Sequence, residues 1–385
     1  MKTRLSRVAV CVALALASVP VVAQNTTSAV AGRVTTVDGK GVAGATVTVL
    51  HVESGSMSHL VTDAEGRYTA RGLRVGGPYT ITIATNEGAT EKLEGVFLQL
   101  ADTTSVDVKV GAPRRETIVV TSTSLASEKF SRTDMGAQTN IGREELRSLA
   151  SIQRNLQDYA RTDPRVSQTD KERGEISVAG QNSRYNKITI DSVNISDTFG
   201  IEANNLPTLK QPVSIDAIES VQVNVSNYDV SQTGYTGGNI NAVTKSGTNE
   251  FHGTATYVYR DDQLAGQRYN RTNGAYTDPP AFKEDTKGFT LGGPVIKDKL
   301  FFFLGYEELT STRNAPDFGP AGSSNGGIVG ISAAAIAGLQ NLARSRYQIE
   351  LGDVGSSGSE LKVKDYLAKL DWNINAQHRA SVRYT

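Results

Sequence analysis

The sequence has little cysteine, few histidines and no excess of charge of either sign. Its 385 residues contain one cysteine, Cys11, and four histidines, with 40 basic and 40 acidic side chains. The balance of charge gives no support for a nucleic-acid partner. Cys11 falls in a leader that we expect to be removed, and a chain without thiols has no disulfide, zinc–thiolate site or cysteine nucleophile.

Residues 1–23 are predicted to be a secretory signal peptide. Lys2, Arg4 and Arg7 precede an apolar run over residues 8–19, and small residues at 21–23 form a cleavage site. The run is too short to span a bilayer as a retained anchor, which is the alternative interpretation. No later stretch is long and apolar enough for a membrane helix, so any part that spans a membrane is expected to be a β-barrel.

Residues 24–112 are predicted to form a β-sandwich. Short β-branched runs alternate with glycine turns, and no helical period is present. The runs GRVTTVDGKGVAGATVTV and TDAEGRYTARGLRVGGPYTI resemble the carboxypeptidase regulatory-like domain, which implies a transthyretin-like fold without catalysis. The His51-Val52-Glu53 spacing does not match the zinc-binding pair of those enzymes, so His51 and His59 are interpreted as ordinary strand residues.

A β-branched segment follows the predicted sandwich. Its residues are Glu116, Thr117, Ile118, Val119, Val120 and Thr121. They could form a last edge strand of the sandwich, or an extended peptide that adds to the sheet of another protein. The segment resembles the TonB box of outer-membrane receptors. That resemblance implies TonB as partner, with its ExbB–ExbD energising complex, and residues 113–140 as TonB box and linker.

Residues 141–249 resemble the plug domain of TonB-dependent receptors. The match is most specific at IDAIESVQVN and GGNINAVTK, and helical patterns at 143–149 and 155–161 precede strand-like runs. An α+β fold is therefore expected. A phosphate-binding loop is the competing interpretation of the glycines, but the required glycine–lysine spacing is absent, and a strand stands where a helix would be needed.

Residues 250–385 predict the first strands of an outer-membrane antiparallel β-barrel. Five strand candidates are connected alternately by long and short segments, as in such barrels, and one helix is predicted near 332–344. Tyr366, Leu370 and Trp372 share one face of the fourth strand, and Lys369 and Asp371 share the other. Since a charge facing lipid at mid-depth costs about 2–4 kcal/mol, the charged face should point to the lumen. A soluble antiparallel sheet is the alternative.

The barrel segment also resembles one branch of a known family. KDKLFFFLGYEEL and GFTLGGPVI are similar to the Oar-like TonB-dependent receptors, which also carry an N-terminal regulatory-like sandwich. The resemblance implies a barrel of roughly twenty-two strands, an even number as such barrels require. Five strands cannot close, so we expect the chain to be an N-terminal fragment or a truncated product that does not transport alone.

The resulting hypothesis is a receptor or transporter in the outer membrane of a Gram-negative bacterium. The sandwich and TonB box would be periplasmic, and the plug would lie within the barrel. The alternative is a non-transporting surface adhesion or carbohydrate-binding protein. Four histidines without metal-ligand spacing and no nucleophile constellation argue against an enzyme, a metal site or a cofactor. The sandwich hints at a carbohydrate ligand by analogy alone, and neither substrate nor direction of transport follows from these residues.

Overall fold

A computed structural model of the chain describes residues 26–111, 136–151, 153–170, 173–208, 210–227, 233–270, 274–314, 318–323, 327–352, 358–375 and 378–385. The chain divides into two compact units. The first comprises residues up to 209 together with 218–245, and the second comprises residues 210–217 and 246–385. The protein is mainly β, as the sequence predicts.

The N-terminal part of the first unit is a β-sandwich, which confirms the prediction. One sheet has the order β4-β1-β7, with β8 also paired to β1, and the other has the order β3-β2-β5-β6. The eight strands are β1 Ser28–Thr36, β2 Thr46–His51, β3 Ser56–Val61, β4 Arg67–Leu73, β5 Gly76–Ala84, β6 Thr90–Leu98, β7 Thr103–Ser105 and β8 Val108–Val110. Apolar side chains that alternate along the strands, among them Val30, Val47 and Ile81, fill one core.

The rest of the first unit has the α+β character expected of a plug. Its sheet has the order β13-β12-β15-β14-β9, with β12 and β15 parallel and the other pairs antiparallel. The elements are β9 Gly136–Ile141, α1 Arg143–Ser148, α2 Leu156–Ala160, β10 Val166–Asp170, β11 Glu175–Val178, β12 Lys187–Ile190, β13 Val193–Asn194, β14 Ile218–Asn227 and β15 Asn239–Thr244. Strands β10 and β11 form a separate hairpin.

One boundary of the sequence prediction is wrong. The sequence predicts a linker that runs to residue 140, but residues 136–141 form β9, which pairs with β14 at the edge of the plug sheet. The side chains at 137–140 are small or polar, so the local sequence resembles a loop. The strand exists because β14 supplies its hydrogen-bonding partners.

The second unit contains a five-stranded antiparallel sheet of order β16-β19-β20-β23-β24. The elements are β16 His252–Asp261, β17 Arg268–Asn270, β18 Ala275–Thr277, β19 Phe282–Ile296, β20 Leu300–Asn314, β21 Phe318–Ala321, β22 Gly327–Ser332, α3 Ala333–Leu342, β23 Gly358–Asn373 and β24 Arg379–Tyr384. Within the described part of the chain, β16 and β24 are the two edges and the sheet does not close into a barrel.

The connections and one helix of this unit agree with the sequence. Strands β19 and β20 are joined by a tight turn at residues 297–299, whereas β16 and β19 are separated by a segment that holds the β17–β18 hairpin. Helix α3 begins after Ser332, whose hydroxyl accepts a hydrogen bond from the Ala335 amide at 3.2 Å. No helix among the described residues is long and apolar enough to cross a membrane.

Candidate functional site

The six residues predicted to bind TonB lie outside the described part of the chain. Residues 112–135 fall between β8 of the sandwich and β9 of the plug, and Glu116 to Thr121 are among them. Their role therefore stays a prediction. What the structure does describe is the two elements to which this segment is connected, and the sheet of the second unit.

One face of the sheet in the second unit is apolar and exposed, and we call it the apolar face. Residues directly opposite one another form cross-strand rows: Leu300 with Trp372, Phe302 with Leu370, Leu304 with Leu291 and Ala368, and Tyr306 with Phe289 and Tyr366. Tyr366, Leu370 and Trp372 are 55%, 49% and 51% exposed. Large apolar side chains that stay exposed on one continuous sheet face suit contact with lipid.

Aromatic residues bound this face at both ends. Tyr306 lies between Phe289 and Tyr366, with ring centroids 5.9 and 5.1 Å apart, and Trp372 lies at the opposite end. Six residues along β20 separate the two ends, about 20 Å at 3.4 Å per residue. Beyond Tyr306 the next row on the same face is charged, with Lys287, Glu308 and Lys364. An apolar band between aromatic girdles is the pattern of a strand that crosses an outer membrane.

The opposite face of the sheet is largely buried. It carries buried polar and charged side chains together with the buried Phe301, Phe303, Leu309 and Leu367, and we call it the polar face. Lys369 and Asp371 are each only 8% exposed, as the sequence predicts for a face that points away from lipid. Glu284, Thr286, Thr290 and Ser311 are also buried on this face. The arrangement is the reverse of a soluble sheet, where apolar residues are covered and charges are exposed.

Glu284 is the centre of an ionic cluster on the polar face. Its carboxylate accepts hydrogen bonds from Arg260 and Arg313, both at 2.9 Å, and from the Ser311 hydroxyl at 3.1 Å. The donors lie on β16 and β20, either side of β19, so the cluster ties three neighbouring strands together. A buried carboxylate is retained because these donors replace the water that it loses.

A short segment of the predicted plug, residues 210–217, belongs to the second unit and binds the polar face. The Ser214 hydroxyl donates to Glu307 Oε2 at 2.6 Å, and the Thr256 hydroxyl donates to Asp216 Oδ2 at 2.6 Å. Burial lowers the pKa of Lys210, and this effect is opposed by the carboxylate of Glu284. The sequence singled out Asp216 only as part of a family-like run, and no local signal identifies its partner Thr256.

The described residues do not show a site for catalysis by a metal. Among them no group of three or more histidine, cysteine, aspartate and glutamate residues could hold a metal ion. His51 lies in β2, where its Nδ1 is 2.8 Å from the Ser54 hydroxyl and its ring packs on Tyr79. His59 lies in β3 with its Nδ1 3.2 Å from the Thr48 hydroxyl.

Comparison with known proteins agrees with this geometry. Residues 29–111 match the carboxypeptidase regulatory-like domain, and residues 243–321 match an outer membrane beta barrel domain. Over 259 residues the chain is 29% identical to the TonB-dependent transporter Oar of Myxococcus xanthus. This match covers 64% of this chain and 23% of that protein. The chain is thus similar to part of this transporter. Together these matches indicate a location in the outer membrane of a Gram-negative bacterium.

Solved structures of outer-membrane receptors are also similar to the chain. The transporter YddB from Escherichia coli is 16% identical with a TM-score of 0.43, over 62% of this chain and 31% of that one. The siderophore receptor PirA from Acinetobacter baumannii is 20% identical with a TM-score of 0.41, over 64% and 30%. The chain thus spans about a quarter of the curated relative and about a third of each of these structures. The names of these proteins describe transporters and receptors.

Proposed function

We propose that this chain is the N-terminal portion of a TonB-dependent outer-membrane transporter. The observation that best supports this is the sheet with an exposed apolar face and a buried polar face, to which residues 210–217 of the plug region bind. The order of sandwich, β-branched segment, plug and strand sheet along the chain also agrees with the homology to Oar.

In the proposed mechanism, a ligand binds at the long connections on one side of the sheet and loosens the plug. TonB then pairs with residues 116–121 by β-augmentation, in which main-chain hydrogen bonds supply most of the affinity. The ExbB–ExbD complex couples the inner-membrane proton gradient to a pull on this segment, and the plug is displaced. The domain boundaries of this proposal are residues 24–112 for the sandwich, 113–135 for the tether, 136–249 for the plug and 250–385 for the first barrel strands.

The test is a deletion of residues 116–121 in the full-length protein. We expect the purified periplasmic domain of TonB to bind the wild-type protein in detergent and to lose at least tenfold in affinity for the deletion variant. A matched deletion of residues 122–127, equal in length and next along the chain, should leave the affinity unchanged. Biolayer interferometry with immobilised TonB domain measures both.

Uptake provides the second readout. Cells carrying each variant are given labelled ferric siderophores and oligosaccharides as probes, because relatives bind the former and the sandwich hints at the latter. Loss of uptake with retained surface binding in the 116–121 variant supports the proposal. Equal TonB affinity and equal uptake in both deletion variants would overturn it and favour a surface adhesion or carbohydrate-binding protein.

A further inference from the structure

The sandwich is docked on the plug through a set of polar contacts within the first unit. Arg143, the first residue of α1, donates from Nε to both oxygens of Glu219 at 3.0 and 3.1 Å. Its Nη1 is 3.4 Å from Oε1 of Glu53, which lies in the turn between β2 and β3 of the sandwich. One guanidinium therefore joins a plug carboxylate to a sandwich carboxylate.

Two further hydrogen bonds connect the end of β6 with the plug sheet. Asn140 of β9 donates to the Gln99 side chain at 2.7 Å, and Gln222 of β14 donates to the Leu100 carbonyl at 2.9 Å. We call these contacts, together with the bridge at Arg143, the docking joint. The joint holds both β9, the edge strand of the plug sheet, and its neighbour β14.

The joint is closely packed. The side chain of Glu219 is only 7% exposed. A Cβ atom at Gly76 of the sandwich would come within 2.7 Å of Oε1 of Glu219, so a larger residue there would displace this carboxylate. Burial would lower the pKa of Arg143, but Glu219 and then Glu53 overcome this and raise it. Loss of the bridge leaves a buried carboxylate without its cation, which is costly.

The position of residues 116–121 gives the joint a mechanical consequence. Four residues, 112–115, connect them to the sandwich, whereas fourteen residues, 122–135, connect them to β9. A fully extended chain reaches about 3.5 Å per residue, so the arm to the sandwich becomes taut at about 15 Å and the arm to the plug at about 50 Å. A pull on 116–121 is therefore applied first to the sandwich.

We propose that the docking joint is a latch, loaded through the sandwich, that must open before a pull on residues 116–121 can reach β9. This rests on the proposed function, in which TonB pulls on that segment. While the latch is closed, tension passes into the sandwich, and the arm of residues 122–135 that leads to β9 carries none. Once the latch opens, this arm is stretched and β9 is pulled away from β14.

The test uses optical tweezers on the full-length protein in nanodiscs, pulled through a DNA handle on Ile118→Cys so that TonB itself is not required. With the handle on residue 118 the arms are six residues, 112–117, and seventeen residues, 119–135. We expect a first step that lengthens the tether by about the difference between these arms, about 40 Å. Unfolding of the plug should follow it. The double variant Glu53→Gln with Gln99→Ala changes only the sandwich side of the joint. At the same load, its first step should occur at a rate at least tenfold higher than in the wild type.

The control is Glu94→Gln, which changes an exposed carboxylate of the sandwich that pairs with Lys92 of the same strand. It should leave the first step unchanged. Plug unfolding without a preceding step, or equal opening rates in the joint variant and the control, would overturn the latch. Because the handle replaces TonB, these outcomes are independent of TonB binding.

A second measurement connects the latch to transport. Gln99→Cys with Asn140→Cys, joined by a short reducible bis-thiosulfonate reagent, should block uptake of the probe that the wild type takes up, and dithiothreitol should restore it. If deletion of 116–121 abolishes uptake while the closed cross-link does not, the latch is wrong and the proposed function stands. If the deletion has no effect on uptake, the proposed function fails instead.

Discussion

Strand β5 of the sandwich and strand β23 of the second unit have the same alternating pattern with opposite burial. In β5 the apolar residues Tyr79, Ile81 and Ile83 are each 1% exposed. In β23 the apolar residues Tyr366, Leu370 and Trp372 are about half exposed, and the charged Lys369 and Asp371 are covered. A period of two therefore tells which residues share a face, and the surrounding medium decides which face is covered.

The difference lies in what each sheet faces. The sandwich has water outside and a second sheet inside, so its apolar rows are buried against each other. The sheet of β16, β19, β20, β23 and β24 has its polar rows covered and its apolar rows bounded by aromatic residues. Substitutions of equal chemistry should consequently have different effects in the two regions.

The largest effect is expected in the sandwich core. Ile81→Ala removes a fully buried side chain and should destabilise the sandwich by about 2–5 kcal/mol, because both burial and packing are lost. Hydrogen exchange of the amides of β5 in the full-length protein measures it. Thr82→Ala, on the other face of the same strand, is the control and should change exchange little. Equal effects of the two variants would contradict the assignment of the core.

A smaller but still large effect is expected on the apolar face of the second sheet. Leu370→Arg places a charge in the middle of the band and should cost about 2–4 kcal/mol of barrel stability. Thr310→Arg, on the same face beyond the aromatic row, should cost about 0–1 kcal/mol because it lies near the interface. Urea titration of the full-length protein refolded into lipid vesicles gives both values. Similar costs at the two positions would argue for a soluble sheet.

The smallest effect concerns the polar face. Thr256→Val removes the hydroxyl that donates to Asp216 and should weaken the attachment of residues 210–217 by about 1.5 kcal/mol, the lower end for a hydrogen bond to a charged group. Amide exchange in that segment should rise about tenfold. Thr254→Val serves as control, since Thr254 lies two residues away on the same face and bonds Thr290 instead. If amide exchange in residues 210–217 also rose in the Thr254→Val variant, the effect would come from a change in strand β16 and not from loss of the bond between Thr256 and Asp216.

The sequence predicts the strands better than their lengths. Five strands of the second unit and helices α1, α2 and α3 lie where the patterns place them. The sequence pattern predicts the second strand of this sheet over residues 286–293, whereas β19 begins at Phe282. Its first turn-like residues, Lys283 and Glu284, are extended because β16 and β20 pair with them and supply the arginines that bind Glu284. A partner contributed from elsewhere in the chain leaves no mark in the local sequence.

The same limit applies to the candidate site. The faces of β23 follow from alternation alone, so Lys369 and Asp371 could be placed in advance. Glu53, Arg143 and Glu219 could not be connected, because they are far apart in the chain and each resembles an ordinary surface charge. The sequence likewise places β9 in the linker, since only its pairing with β14 makes it a strand.

The position of β1 in the sandwich bears on the order in which the chain can fold during export. β1 pairs in parallel with β7 and β8, so Ala29 to Ala31 lie beside Thr103 to Ser105, and Val34 to Thr36 lie beside Val108 to Val110. One side of the first strand therefore has no partner until residues 103–110 have crossed the inner membrane. Pairing between strands that are distant in the sequence forms slowly. Until it forms, the unpaired edge of β1 can pair with other chains and aggregate. The first sheet of the sandwich can therefore be completed only when its last strand, β8, is available to pair with β1.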